Sequence, residues 1–413
     1  MSQSSQDTRP LALLRASGVP PSLLECNDKT VPLRDWEFPR CLRELAYRWL
    51  AIADVCSVKA GRLRQDASPG VMGRSRDMVA QLVLATLAAF SARDFYAYDR
   101  RHPDSKSQLL EFVRSYVGYF RRWEVRERVN SRTESGILRN KILANLLLTH
   151  HHLPSPRMVL FSSDSKWYLP GEPATEISID RIPNILKTGE FFLKPACGRW
   201  GQGVKMFHID AYDVCVDGVR MPLATFLGDT DQEARHVPML VEERMVNHAS
   251  LAALSESCLN TIRVMTVMTQ RGDIRLFAAA LRFAKGSSIV DSWSNGGLAV
   301  SVDVSNGRLG SEVFSKALFP ELPREERDIR IPHLVEVPYW GDVVQLCMRA
   351  HRVFPGMQSV GWDVAVTPNG PVLTEGNHDW DVVLPQRVCR VGVLRALRES
   401  QYIGKPRLGG VST

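Results

Sequence analysis

Apolar residues recur at helical spacing along the first third of the chain. In residues 39–58, Leu42, Leu45, Ala46, Leu50 and Ala53 fall on one face, which predicts an amphipathic helix. The spacing predicts a second helix over 77–90 and a third over 108–128. The third carries Leu109, Val113, Val117, Phe120 and Trp123 on one side and Arg121, Arg122, Arg126 and Arg128 on the other. That basic face, interrupted by Glu124 and Glu127, suits solvent or peripheral contact with a membrane surface. A fourth helix is expected over 135–150, with Ser135 as N-cap and the run L-P-S-P as its stop.

After that stop the pattern changes. Short apolar and β-branched runs bounded by turn residues predict strands over 158–161, 191–194, 239–242, 260–269, 274–283, 298–304, 363–367 and 372–375. The runs 262–269 and 274–282 flank Q-R-G-D and read as an antiparallel hairpin. P-N-G-P marks a second turn, and 342–354 reads as a helix. The fold class is therefore α+β, with mainly antiparallel sheets after a helical N-terminal region. The expected division is 1–133 and 134–413.

The chain has 413 residues, 44% of them hydrophobic, enough for two or three packed units. No apolar run reaches the ~18 residues of a membrane span, since Gln81 and Ser91 break the best stretch. The N-terminus is polar and lacks a signal-peptide core. Eight cysteines without a C-x-x-C pair argue against a disulfide framework, so a reducing cytoplasm is expected. A net charge of +7 suits anionic ligands such as nucleotides. No nucleic-acid motif accompanies it, so nucleic acid is not an expected partner.

Five segments carry candidate chemistry. F-F-L-K-P-A-C-G-R-W-G-Q-G-V (191–204) delivers Lys194 from a strand into a loop with Gly198, Gly201 and Gly203. Glycines let backbone N–H groups approach phosphate oxygens, and the lysine adds a point charge. A plain mobile turn is the alternative. In G-W-D-V-A-V-T-P-N-G-P-V-L-T-E-G-N (361–377), a hairpin sets Asp363 opposite Glu375 and Asn377. The last two are two apart and share a face. Three oxygen donors at one hairpin end suit Mg²⁺, against the alternative of an acidic surface turn. Arg263 in L-N-T-I-R-V-M-T-V and Arg282 in A-L-R-F-A lie on neighbouring strands, as a phosphate- or carboxylate-binding pair or as two surface charges. V-D-S-W-S-N-G-G-L places Asp291, Trp293, Asn295, Gly296 and Gly297 in a polar loop near a site. In M-L-V-E-E-R-M-V-N-H, Glu242, Glu243 and His248 follow a strand end that could meet an adenine and its ribose. His150, His151 and His152 read as a surface cluster, and Cys197 as small packing.

In this order, L-K-P-A-C-G-R-W-G-Q-G-V, L-N-T-I-R-V-M-T-V, L-R-F, S-N-G-G-L and W-D-V-A-V-T-P-N-G-P-V-L-T-E-G-N resemble the ATP-grasp superfamily, and within it the sugar-transfer-associated branch. The resemblance covers roughly 135–385. It implies ATP bound between two α+β subdomains, a lid over about 186–245 and a metal-binding unit over about 246–400. It implies phosphate contacts from Lys194 and from Lys141 in R-N-K-I-L-A-N-L, and a lid from Gly198, Gly201 and Gly203. Adenine would meet Glu242 and Glu243, with His248 near the ribose. Asp363, Glu375 and Asn377 would hold Mg²⁺, or Mn²⁺, and Arg263 and Arg282 would steady the transferred phosphoryl group. The implied activity joins a small-molecule or peptide carboxylate to an amine through an acyl phosphate, in natural-product or cell-surface glycan biosynthesis. A phosphotransferase on the same fold and a non-catalytic nucleotide-binding adaptor are the alternatives. Trp200, Trp293, Trp380 and the run His378 to Asp381 are candidates for the substrate pocket.

Overall fold

The computed structural model describes residues 132–198, 201–210, 213–216, 218–255, 258–286, 288, 291–316 and 336–400. From the N-terminal part it describes 9–17, 19–20, 23, 45, 47–53, 55–56, 82–86, 90, 94, 98, 106–118 and 130. Among these residues the strands form two antiparallel sheets. The first has the order β3-β2-β1-β8-β4-β5-β6-β7, from β1 (Met158–Ser163), β2 (Lys166–Leu169), β3 (Thr175–Ile177), β4 (Gly189–Pro195), β5 (Lys205–Asp210), β6 (Asp213–Val216), β7 (Val219–Pro222) and β8 (Met239–Glu243). The second has the order β12-β11-β10-β9-β13-β14, from β9 (Thr261–Met268), β10 (Ile274–Phe283), β11 (Leu298–Val302), β12 (Leu309–Ser315), β13 (Ser359–Thr367) and β14 (Gly370–Asn377). The first sheet starts upstream of the expected lid boundary at 186, because β1 pairs with β8 and brings β2 and β3 with it.

The strands β9 and β10 read as near-continuous apolar runs because both faces are covered. Ile262, Val264, Ala279 and Leu281 face a core shared with the helix Trp340–Val353. Met265, Val267, Ala278 and Ala280 face the opposite way, against Trp293, Trp380, Val383 and the N-terminal residues Leu84, Phe90, Tyr98 and Val117. The helical N-terminal region thus packs onto the outer face of the second sheet. The first sheet has its own core, where Phe191, Leu193, Phe207 and Ile209 meet Phe226 and Leu227 of the helix Leu223–Ala234. The helix Lys141–His150 joins the two sheets. Its Ile142, Leu143 and Leu147 contribute to one core with Phe161 and Leu240 from the first sheet and Ile262 from the second.

Three helix expectations are corrected. The helix expected over 135–150 is two, Arg132–Arg139 and Lys141–His150. The break falls at Asn140, whose side-chain oxygen accepts from the N–H groups of Ile142 and Leu143. Ser135 lies inside the first helix and is no cap. Its hydroxyl turns to the Met357 sulfur. In the segment 39–58 the described residues are helical, but Ala51 and Val55 are buried while Leu45, Leu50 and Ala53 are exposed. The competing stripe Tyr47, Ala51, Val55 has the same spacing and finds Ala85 and Leu82. The third helix ends at Ser115, so Val117 is buried without being helical. Phe120, Trp123 and the basic face at Arg121, Arg122, Arg126 and Arg128 lie outside the described residues.

His351 shows how this core depends on pH. Its Nε2 lies 2.8 Å from the Met357 carbonyl, which can only accept, so Nδ1 accepts from the Thr266 hydroxyl at 2.7 Å. Burial pushes its pKa from the usual 6.5 down to about 4. The folded state keeps the ring neutral where the unfolded chain protonates it. Its contribution is full above pH 6.5 and is lost as pH falls toward 4, roughly 3 kcal/mol in all and about 2 kcal/mol by pH 5. Urea melts at pH 7 and pH 5 should show that loss, and His351→Asn should remove its share of the difference. An unchanged pH slope in the variant would assign the effect elsewhere.

Candidate functional site

A cavity of about 520 Å³ lies between the two sheets. Lys194 enters it from β4. The register places Phe192 opposite Glu242 on β8, so Lys194 and Glu242 are diagonal neighbours, with Nζ 2.6 Å from Oε2. The Lys194 ammonium also lies 5.3 Å from the centre of the Phe192 ring. Lys141 opens its helix, where Asn140 caps the turn and the Lys141 N–H donates to the Ala196 carbonyl. Its Nζ donates to the Gly198 carbonyl at 2.9 Å and lies 3.6 Å from Glu375 Oε1. One lysine therefore touches the glycine loop on one side and the metal-type hairpin on the other. Gly201 and Gly203 have positive φ, 73° and 71°. A Cβ at Gly203 would come within 2.9 Å of Pro195, so the loop requires glycine there.

Across the cavity, Arg263, Asp363 and Glu375 occupy one cross-strand row of β9, β13 and β14. Arg263 reaches Asp363 through Nε at 2.5 Å and Nη2 at 3.0 Å. It passes Gly361, where a Cβ would meet its stem at 3.2 Å and Trp380 at 2.7 Å. Arg282 approaches the same carboxylate from β10 at 3.1 Å, lies 3.5 Å from Asp291 and donates to the Thr261 hydroxyl at 2.6 Å. The Asn377 amide lies 3.2 Å from Asp363. Burial by itself would raise the Asp363 carboxyl. Arg263 and Arg282 outweigh it and hold the group below the usual carboxylate range. Burial likewise lowers the Arg282 pKa, but Asp291, Asp363 and Glu375 reverse the sign and raise it.

Asp363 and Glu375 bring carboxylates to one hairpin end, and Asn377 brings an amide whose nitrogen faces Asp363; carboxylate and amide oxygens are the hard donors that Mg²⁺ takes. Lys141, Arg263 and Arg282 balance their charge. That donor chemistry fits the ion, while both Asp363 oxygens are engaged by Arg263 and Arg282 in this structure. The histidines at 150–152 do not form a second site. His150 contacts Glu172 at 2.5 Å, and among the described residues no three His, Cys, Asp or Glu side chains cluster for a metal.

The cavity also brings in Gly198, Gly201, Glu243, Asp291 and Trp293 from the sequence candidates. Glu243 contacts Arg157 at 2.6 Å. Trp293 is nearly buried, its indole N–H donating to the Phe314 carbonyl, so it is packing with one edge on the cavity. Gly203, Asn295, Gly296 and Gly297 shape their loops without lining it. Trp200 lies outside the described residues. His248 is not at the cavity. Its backbone N–H donates to the Val366 carbonyl at 2.7 Å, and its ring caps the short helix Ala249–Ala252 and packs on Tyr339. The chain leaves β8 toward the C-terminal end of β13, which holds His248 away from the cavity. Sequence reasoning missed Arg139 and Lys316, both on the cavity wall. Arg139 stands two residues before Lys141, a signal that was present. Lys316 reaches Asp381 at 2.6 Å and Ser294 at 2.8 Å across long sequence gaps, which no local pattern marks.

A family model described as sugar-transfer associated ATP-grasp matches residues 120–401. No curated protein sequence matches the chain. Among solved structures, the ATP-grasp ligase PsnB, complexed with a phosphomimetic variant of a minimal precursor, Mg and ADP, is 14% identical. The match covers 65% of this chain and 59% of that one, with a TM-score of 0.34. N5-carboxyaminoimidazole synthase from Aspergillus clavatus is 9% identical over 70% and 63% of the two chains, with a TM-score of 0.35. D-alanyl-alanine synthetase A from Vibrio cholerae is 13% identical over 71% and 70%, with a TM-score of 0.38. The chain thus spans about three fifths of the length of the first two structures.

Proposed function

Because this chain belongs to the sugar-transfer-associated ATP-grasp family, we propose that it is an ATP-dependent ligase joining a carboxylate to an amine through an acyl phosphate. The observation that carries the reading is the single cavity in which Lys141, Lys194 and the glycine loop face Asp363, Glu375, Asn377 and the two arginines. Lys141 and Lys194 bind the nucleotide phosphates, exchanging the carboxylates they contact for phosphate oxygens. The 198–203 loop supplies backbone donors to the same phosphates and excludes water from a labile acyl phosphate. Asp363, Glu375 and Asn377 would hold Mg²⁺, which supplies positive charge to the triphosphate. Arg263 and Arg282 hold the transferred phosphoryl oxygens, and Arg282 then stabilises the tetrahedral oxyanion.

The reading is tested by an ADP-release screen of paired carboxylates and amines, with mass spectrometry of the product. An amide-linked conjugate with stoichiometric ADP is expected. A phosphate ester would assign a phosphotransferase, and ATP binding without turnover across the panel would assign a nucleotide-binding adaptor. Lys194→Met alone leaves Glu242 buried without its counter-ion, so the informative variant is Lys194→Met with Glu242→Gln. The loss of one charge-assisted contact, about 1.5–3 kcal/mol, should raise KM for ATP roughly tenfold to a hundredfold with little change in melting temperature. An unchanged KM would remove Lys194 from the phosphate site.

A further inference from the structure

The ligase reading leaves open how the attacking amine loses its proton, and one side chain answers that need. Asp291 lines the cavity. Its contacts all fall on one oxygen. Oδ2 accepts from the Thr261 N–H at 3.0 Å and from the Thr261 hydroxyl, and it lies 3.5 Å from Arg282 Nη2. Among the described residues, Oδ1 has no hydrogen-bond partner, and it is not among the buried unpartnered atoms. The carboxylate is thus clamped by one oxygen and presents the other to the cavity.

The location matters as much as the orientation. Arg282 contacts Asp291 and Asp363 together, so the Asp291 carboxylate stands next to the guanidinium assigned to the oxyanion. The acyl carbon under attack is bonded to that oxyanion, so a base beside Arg282 lies close to the point of attack. Among the other carboxylates on the cavity wall, Asp381 is engaged by Lys316 at 2.6 Å, Glu242 by Lys194 at 2.6 Å and Glu243 by Arg157 at 2.6 Å.

We propose that Asp291 is the general base of the second half-reaction, its Oδ1 accepting the proton of the attacking amine. The arriving ammonium gives one proton to Oδ1, and the free amine nitrogen then forms a bond to the acyl carbon. The C–O bond to phosphate then breaks with its electron pair, the departing phosphate takes the remaining N–H proton, and Asp291 releases its proton to solvent. The carboxylate is regenerated and no other reactant is needed. Burial raises the Asp291 carboxyl from its ordinary value, partly offset by Arg282 and Thr261, which strengthens it as a base. The carboxylate also makes the subsite cation-attracting, which suits an amine that arrives protonated.

The proposal rests on the ligase reading, and the experiment separates the two. The full-length protein is given ATP, Mg²⁺ and the carboxylate found by the ADP-release screen. Ethylamine and hydroxylamine compete as nucleophiles at neutral pH, where hydroxylamine is largely unprotonated and depends little on a base. In Asp291→Asn the ratio of amide to hydroxamate should fall about 10²-fold or more relative to wild type, within the 10²–10⁴ range of general-base catalysis. ADP release should then outrun amide formation as the acyl phosphate hydrolyses. Equal losses on both nucleophiles would reduce Asp291 to a prop for Arg282 and Thr261 and overturn the proposal, as would an unchanged ratio. Asp291→Glu keeps the charge if the Asn variant does not fold, and it should lower the same ratio by a smaller factor. If no carboxylate triggers ADP release in wild type, the ligase reading itself fails, and the base with it.

Discussion

Glu375→Gln is expected to cut ATP turnover by about 10³-fold or more while leaving the melting temperature nearly unchanged. Its side chain is 32% exposed in the cavity and its nearest cation, Lys141, is 3.6 Å away. On the proposed reading, a neutral amide there forfeits a ligand charge and an interaction with a phosphate-binding lysine at little cost in packing. Asp363→Ala should abolish turnover as well, but for two reasons at once. The Asp363 side chain is 7% exposed and bonded to both Arg263 and Arg282. Its removal leaves two buried guanidinium groups without their shared anion, which costs on the order of 3–5 kcal/mol. The pair of variants separates chemistry from folding. ADP release and thermal melts would be read side by side, and near-wild-type turnover in Glu375→Gln would reject the assignment of this hairpin to a metal.

Arg282→Met should reduce turnover by about 10²–10³-fold, the usual cost of losing a donor aimed at developing negative charge. Its stability effect has a definite sign with pH. Asp363 is held below the usual carboxylate range partly by Arg282, and Asp291 is already raised by burial. Without the guanidinium both carboxyls titrate higher, so the folded variant binds protons that the unfolded chain does not. Its deficit against wild type should be largest near pH 7 and should shrink as pH falls into the carboxylate range. Urea melts of both proteins at pH 7 and pH 4.5 measure this. A deficit that grows toward low pH would show that Arg282 is not the compensating charge.

The features legible in the sequence are those that short-range physics controls. The β9–β10 hairpin follows from two apolar runs around Q-R-G-D, and the β13–β14 hairpin from P-N-G-P. The two-residue period of a strand puts Glu375 and Asn377 on one face whatever the rest of the chain does. Gly201 and Gly203 announce a backbone that takes positive φ. These local rules were enough to place the lysine loop, the arginine pair and the Asp–Glu–Asn hairpin.

Tertiary structure decided what those groups do to one another. Asn140 breaks a helix that periodicity runs straight through, because its side chain caps Lys141–His150 while the preceding turn packs elsewhere. His248 stands five residues past Glu243 yet turns away, since the C-terminal end of β13 offers its backbone a partner. Glu242 becomes the counter-ion of Lys194 across 48 residues, and Asp291 is clamped by Thr261 across 30. Residue type and strand period set which chemistry a side chain carries and which face it leaves from. The charge it meets, and how much water surrounds it, depend on chain segments brought together by burial of the shared core.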